Sequence, residues 1–236
     1  WKRLMQILPK EVFNAGITGV GSYLPERVLT NSDLEEMVDT TEDWIVTRTG
    51  IKERRIALPE QATSDLALIA GERALADAGV SPEELDLVIV ATATPDTIFP
   101  STACLVQDKL GATKAAAFDL SAGCTGFVYA LVTGSQFIIS GMYRNVLVIG
   151  AECLSRIVNW QDRKTCVLFG DGAGAVVLSP VPQGSGLLSF LLRSDGSKGP
   201  TLVLPAGGSR LPAAKETVEQ KLHTIHMDGP EVFKFA

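Results

Sequence analysis

The sequence is poor in the residues from which several kinds of functional site are built. It holds two histidines, His223 and His226, and four cysteines, Cys104, Cys124, Cys153 and Cys166, none of them in a C-x-x-C pair. Zinc knuckles and thioredoxin-like motifs need such close pairs and are excluded. The histidines stand three apart in a Leu-His-Thr-Ile-His run with no carboxylate or thiol motif beside them. A strand or loop face is expected there, and no metal. Basic charge is also short: 21 Lys and Arg against 27 Asp and Glu leave a net charge of −6, which argues against a nucleic-acid partner. No apolar run approaches the roughly 20 residues of a membrane span. The longest apolar helix candidate, residues 125–140, contains Ser135 and Gln136 and reads as a buried core helix. The first ten residues are basic and then briefly apolar, too short a stretch for a secretory signal. No methionine stands at position 1, so the natural start is expected upstream. A cytoplasmic protein without membrane contact follows, its widely spaced cysteines reduced.

What is present suits a sizeable globular core: 236 residues, 46% of them hydrophobic. Residues 15–22 alternate and read as a first strand, ended by Leu24-Pro25. Thr30 or Asn31 caps a short helix running to Val38, and a second covers Glu42 to about Thr47. Lys52 to Ala57 is a polar, extended link. A longer helix starts at Ser64-Asp65, presents Leu66, Ile69, Ala70 and Ala74 on one face, and stops at Gly79. Leu85–Ala93, Ala115–Leu120 and Asn145–Ala151 are near-continuous apolar runs, the pattern of strands buried on both faces. Helices over Ser101–Leu110 and from the turn after Leu120 to Ser140 separate them. Ala173–Ser179 and Leu187–Leu192 read as further strands, and Asp228, Pro230 and Glu231 as a helix start. This alternation predicts an α/β fold with a largely parallel sheet.

The segment from Phe118 to Ala130 carries the chemistry. A buried strand enters the small-residue turn Ser121-Ala-Gly-Cys124, and an apolar helix leaves it. A thiol at a helix N-terminus meets unpaired N–H groups and the positive end of the dipole, which favours a thiolate. The arrangement resembles a nucleophile elbow with cysteine in place of serine. A buried cysteine in a tight turn is the competing reading.

Four segments, in order, extend that resemblance to a family: Gly21-Ser-Tyr-Leu-Pro25, Asp43-Trp-Ile-Val-Thr-Arg-Thr-Gly-Ile51, the cysteine elbow, and Phe169-Gly-Asp-Gly-Ala-Gly-Ala175. Together they resemble the N-terminal two-thirds or so of ketoacyl-acyl-carrier-protein synthase III, a thiolase-fold condensing enzyme. The resemblance runs from about Ala15 to the end. It implies a layered αβαβα fold of two similar halves: an extension over 1–14, an N-terminal half over 15–183 with the elbow, and the start of a truncated C-terminal half over 184–236. It implies a homodimer that initiates fatty-acid synthesis in the cytoplasm. Cys124 would take an acyl group from acyl-CoA and pass it, with loss of CO₂, to malonyl-acyl-carrier protein. Coenzyme A thioester enters as substrate, and no cofactor is implied.

Carried over by position, Trp44 would stack on the CoA adenine, with Arg48, Arg163 and Thr40 in the same site. Phe99 would reach the partner subunit's acyl pocket, and Phe169 and Phe233 would line the acyl pocket and tunnel. For Phe99 the competing reading is a loop aromatic closing its own core. Cys104, Cys153 and Cys166 are expected as core or pocket walls. The Gly19-x-Gly21 pair lacks the third glycine of a dinucleotide fingerprint and is rejected as one. Residues 170–174 lack the Lys-Ser/Thr of a phosphate loop; a close-packed turn is expected there, with Asp171 bonded to the turn backbone. The histidine and asparagine of the family's second half-reaction are expected beyond Ala236, so this chain is expected to be acylated at most. A polyketide or alkylquinolone starter synthase, and a catalytically silent or partner-dependent acyl-CoA binder, are the alternatives.

Overall fold

The computed structural model describes residues 14–235. The expected extension over 1–14 lies outside them except for Asn14, which opens the first strand. The described chain divides into two compact units interleaved in sequence. The first takes the chain through Pro25, Leu58–Glu152 and Gly172–Leu192; the second takes Glu26–Ala57, Cys153–Asp171 and the chain from Arg193 onward.

The first unit is built on β1 (Asn14–Tyr23), α3 (Thr63–Ala78), β4 (Leu87–Ala91), α4 (Thr102–Leu110), β5 (Ala116–Leu120), α5 (Gly126–Ile139), β6 (Val146–Cys153) and β7 (Asp171–Val181). The strands form one sheet in the order β1-β7-β6-β4-β5. β4 pairs in parallel with β5 and with β6, while β1 and β7 are antiparallel, so the sheet is mixed rather than largely parallel. Alternation explains the layers. Val146 and Val148 meet α5 at Gly134, and Leu147 and Ile149 meet α3 at Gly71 on the opposite face. β4 and the first half of β6 are buried on both sides, as their apolar runs require. β5 is only half-buried, because it is the sheet's edge among the described residues.

Gly19 and Gly21 have a packing role. A Cβ on Gly21 would fall 2.2 Å from the Ala70 carbonyl oxygen and 2.4 Å from the Ala74 nitrogen; one on Gly19 would fall 2.4 Å from the Ala74 oxygen. β1 therefore lies directly on the backbone of α3. That helix ends at Gly79, whose φ of 65° is left-handed.

The second unit holds β2 (Arg27–Thr30), α1 (Asn31–Glu35), α2 (Glu42–Thr49), β3 (Glu53–Ile56), β8 (Leu202–Val203), α6 (Lys215–Glu219), β9 (His226–Met227) and α7 (Gly229–Phe235). Thr30 caps α1 and Thr41 caps α2 through their hydroxyls. The expected link at 52–57 is a strand paired antiparallel with β2. Leu34, Ile45, Val158, Cys166, Val167 and Ile225 form the core. Arg54, 5% exposed, crosses it and donates to the carbonyls of Leu29 and Val167 and twice to Asn31 Oδ1 at 3.0–3.2 Å.

Three further expectations are corrected. Leu187–Leu192 is not a strand: the Leu187 amide donates to Ala15 at 2.9 Å, and Leu188, Phe190 and Leu191 are left 71%, 53% and 73% exposed. Gly184 and Gly186, at positive φ, turn this segment away after β7. Residues 171–174 are strand and not turn. Asp171 accepts from the amides of Ala57 (2.7 Å) and Ser155 (2.8 Å) and from the Ser155 hydroxyl (2.6 Å), well away from its own neighbours in the chain. Cys104 is exposed on α4, whereas Cys153 and Cys166 are buried as expected. No helix among the described residues is long and apolar enough to cross a membrane.

Candidate active site

The parallel strands set the site's position. Ala91 of β4 lies between Leu120 of β5 and Gly150 of β6, so the three strands end along one edge of the sheet. Open α/β sheets place their chemistry at such carboxyl ends. The amide of Thr92 still donates to the Leu120 carbonyl at 3.2 Å, one residue beyond the ladder. Beyond Leu120 the chain turns sharply. Gly123 takes φ 53°, residues Gly123–Thr125 form a single tight helical turn, and α5 begins at Gly126. The Thr125 hydroxyl ties the turn back to the Ala122 carbonyl at 3.0 Å. A Cβ on Gly126 would stand 3.4 Å from that of Ala91, so the helix start lies against β4. Cys124 is exposed at the head of α5 and is not a buried turn cysteine. Its thiol is open to an electrophile and stands beside the start of α5, where the Gly126 amide donates to the Gly123 carbonyl.

A second cluster is built on α2 in the other unit. Ile45 is fully buried and fixes the inner face of the helix; Trp44 is half-buried against the same core, and Arg48, one turn on, lies exposed beside it. The Arg48 guanidinium carbon lies 4.6 Å from the Trp44 ring centroid, and that of Arg163 lies 4.9 Å from it. Arg163 donates to the Asp39 carbonyl at 2.6 Å and lies 3.7 Å from the Asp39 carboxylate. Next to Asp39, the Thr40 hydroxyl is buried with no hydrogen-bond partner among the described residues. The structure thus brings Trp44, Arg48 and Arg163 together around one ring, with Thr40 in the adjoining turn.

The other aromatic candidates are dispersed. Phe99 is 83% exposed and does not close a core, Phe233 is 88% exposed, and Phe169 is half-buried against the core of the second unit. His223 shares a 2.9 Å hydrogen bond with the Thr217 hydroxyl, and His226 is exposed on β9.

A model of the family described as 3-Oxoacyl-[acyl-carrier-protein (ACP)] synthase III matches residues 118–196, the stretch containing Cys124. The beta-ketoacyl-[acyl-carrier-protein] synthase III of Caldanaerobacter subterraneus subsp. tengcongensis is 66% identical over 226 residues, covering 96% of this chain and 68% of that protein. The chain belongs to the beta-ketoacyl-[acyl-carrier-protein] synthase III family. The Desulfitobacterium hafniense synthase III is 62% identical, covering 94% and 67%. The crystal structure of the synthase III from Aquifex aeolicus VF5 superposes with a TM-score of 0.82 at 51% identity, covering 93% and 66%. The chain spans about two-thirds of the length of the curated relatives it matches. The expected thiolase-like α/β fold and condensing-acyltransferase class are borne out at this level, as is membership in the synthase III group that initiates fatty-acid synthesis; a silent relative is not favoured.

Within this synthase III chain, sequence reasoning missed Glu152. Its carboxylate accepts from the Ala93 amide at 2.7 Å, the Thr94 hydroxyl at 2.6 Å and the Thr92 hydroxyl at 3.4 Å. Burial pushes this carboxyl above the usual range, against the lowering effect of those hydrogen bonds. The signal in the sequence was one acidic residue closing the apolar run 146–151.

Proposed function

We propose that the protein opens fatty-acid synthesis by a decarboxylative Claisen condensation, with Cys124 as its acyl-accepting nucleophile. The observation that carries this reading is the exposed thiol at the start of α5, on the edge where three parallel strands end. In the first half-reaction the Cys124 sulfur attacks the thioester carbonyl of acyl-CoA. A tetrahedral oxyanion forms, its C–S bond to CoA breaks, and CoA leaves as the thiol after taking a proton. Backbone donors at the helix start suit that oxyanion. In the second half-reaction malonyl-acyl-carrier protein loses CO₂. The electron pair left behind forms an enolate that attacks the acyl-cysteine carbonyl and expels the Cys124 thiolate. The product is 3-ketoacyl-acyl-carrier protein. The covalent intermediate divides one difficult step into two.

For the CoA nucleotide we propose Trp44 as the stacking surface, with Arg48 and Arg163 as cations for base and phosphate. Planar aromatic and guanidinium faces suit that ligand. The orphaned Thr40 hydroxyl would gain a partner from it. Phe99, Phe169 and Phe233 are proposed around the acyl and pantetheine path, and neither His223 nor His226 is given a catalytic role. A homodimer in the cytoplasm, with Phe99 turned toward the partner's acyl pocket, completes the reading, together with the division of the fold at 1–14, 15–183 and 184–236. The half-buried edge strand β5 suits pairing with a second copy.

Incubation with acetyl-CoA, followed by peptide mapping, tests the first half-reaction. Acyl label on the Cys124 peptide, absent from Cys124→Ala, supports it. A thiol of ordinary reactivity that never takes the acyl group favours the silent binder instead.

A further inference from the structure

Three carboxylates hold the loop that follows β4, and none of them faces an arginine or lysine in the bonds that do so. Glu152 receives the Ala93 amide and the hydroxyls of Thr92 and Thr94 at the loop's start. Asp96 accepts from both the amide (2.8 Å) and the hydroxyl (2.7 Å) of Ser64 at the head of α3. Asp119 of β5 accepts from the amides of Thr102 and Ala103 at 2.8 and 2.7 Å, fixing the head of α4 where the loop ends. Between the last two anchors Ile98 and Phe99 stand out, each 83% exposed.

Glu152 differs from the other two in what else it reaches. Asp96 and Asp119 cap helices, a structural task. Glu152 leaves the end of β6 and crosses to the segment leaving β4, whose Thr92 amide in turn holds Leu120, four residues before Cys124. One half-buried carboxylate therefore links the ends of β6 and β4 to the strand that delivers the nucleophile. An apolar side chain of equal size would seal the same space without these bonds. Removing the carboxylate takes away the anchor between the two strand ends, and a shift of about 1 Å in an attacking group can cost up to about a hundredfold in rate.

We infer that Glu152 is a positioning residue for the acyl-transfer step: through the Thr92–Thr94 turn it sets the placement of the Cys124 elbow and of the loop bearing Phe99. This rests on the proposed role of Cys124. The test follows incorporation of acetyl groups from acetyl-CoA by intact-protein mass for the parent, Glu152→Ala and Glu152→Gln, over a range of acetyl-CoA concentrations. The amide of Gln can still accept from Ala93 and bond Thr94, so it should rescue. In Glu152→Ala the limiting rate constant should fall about tenfold while the half-saturating concentration stays within about twofold, and Glu152→Gln should stay within about threefold of the parent. Loss of folded protein alone would lower the amount acylated and not the rate constant. Thr94→Val, which removes one hydroxyl from the same carboxylate, should give the same signature at about threefold, and stands in if Glu152→Ala does not fold. An unchanged rate constant in Glu152→Ala, or in Thr94→Val where that variant is used, overturns the inference, as does failure of Gln to rescue. Absence of acylation in the parent overturns the proposed function and this inference with it.

Discussion

Replacing Gly21 by alanine separates packing from ligand binding at the first glycine motif. The added Cβ would lie 2.2 Å from the Ala70 oxygen, 2.4 Å from the Ala74 nitrogen and 2.9 Å from the Arg73 carbonyl carbon, all backbone atoms of α3. No side-chain rotation relieves such contacts, so strand and helix must separate by about 1 Å, an overpacking that costs about 3 kcal/mol. For a chain of this size each kcal/mol moves the melting temperature by roughly 2–4 °C, giving a fall of about 6–12 °C. Gly174→Ala is the control, because a Cβ there meets nothing within 4 Å among the described residues. Thermal denaturation followed by circular dichroism compares the two variants with the parent. A Gly21→Ala melting temperature within about 2 °C of the parent, or an equal fall in Gly174→Ala, contradicts the packing role. CoA affinity measured well below the transition should be unchanged in Gly21→Ala.

The remaining predictions concern the other elements. Trp44→Ala should weaken CoA binding by about five- to 150-fold in calorimetry, since stacking of a base is worth about 1–3 kcal/mol; less than twofold removes the ring from the site. Arg54→Met should lower stability in urea by about 3 kcal/mol, because the buried Asn31 Oδ1 and Val167 carbonyl and the part-buried Leu29 carbonyl lose their donor, and Arg54→Lys should recover less than half; a change under 1 kcal/mol speaks against that role. Burial raises the folded-state pKa of Glu152, so its protonated form favours the fold. The parent should therefore lose stability relative to Glu152→Gln as pH rises from the ordinary glutamate value through the raised one, then run parallel above it. Parallel curves throughout a pH series of urea melts would show that the carboxyl is not perturbed.

Local signals were enough wherever one segment decides its own structure. Asn31–Glu35 and Glu42–Thr49 are helices because Thr30 and Thr41 cap them, and Gly79 ends α3 because it alone accepts φ 65° there. The Cys124 elbow was legible because strand, small-residue turn and apolar helix are consecutive. Trp44 and Arg48 sit one helical turn apart, so their meeting follows from α2. Arg163 reaches the same ring from a distant part of the chain, and only the family resemblance placed it there. Glu152 showed only as an acidic residue closing an apolar run and Asp96 not at all, since the bonds of each depend on which strand ends or helix heads the topology brings together. Leu187–Leu192 has strand composition but keeps a single backbone bond, from Leu187 to Ala15, and β-propensity without a continued ladder does not make a strand.

The central claim is that Cys124, rather than another of the four cysteines, is the acyl acceptor. Cys104 is the stringent comparison, because it too is exposed. The most direct measurement is a peptide map of the protein after incubation with acetyl-CoA, read alongside Cys124→Ala and Cys104→Ala. Label should appear on the Cys124 peptide alone, persist in Cys104→Ala and vanish in Cys124→Ala. Label on Cys104, or label that survives loss of Cys124, contradicts the assignment.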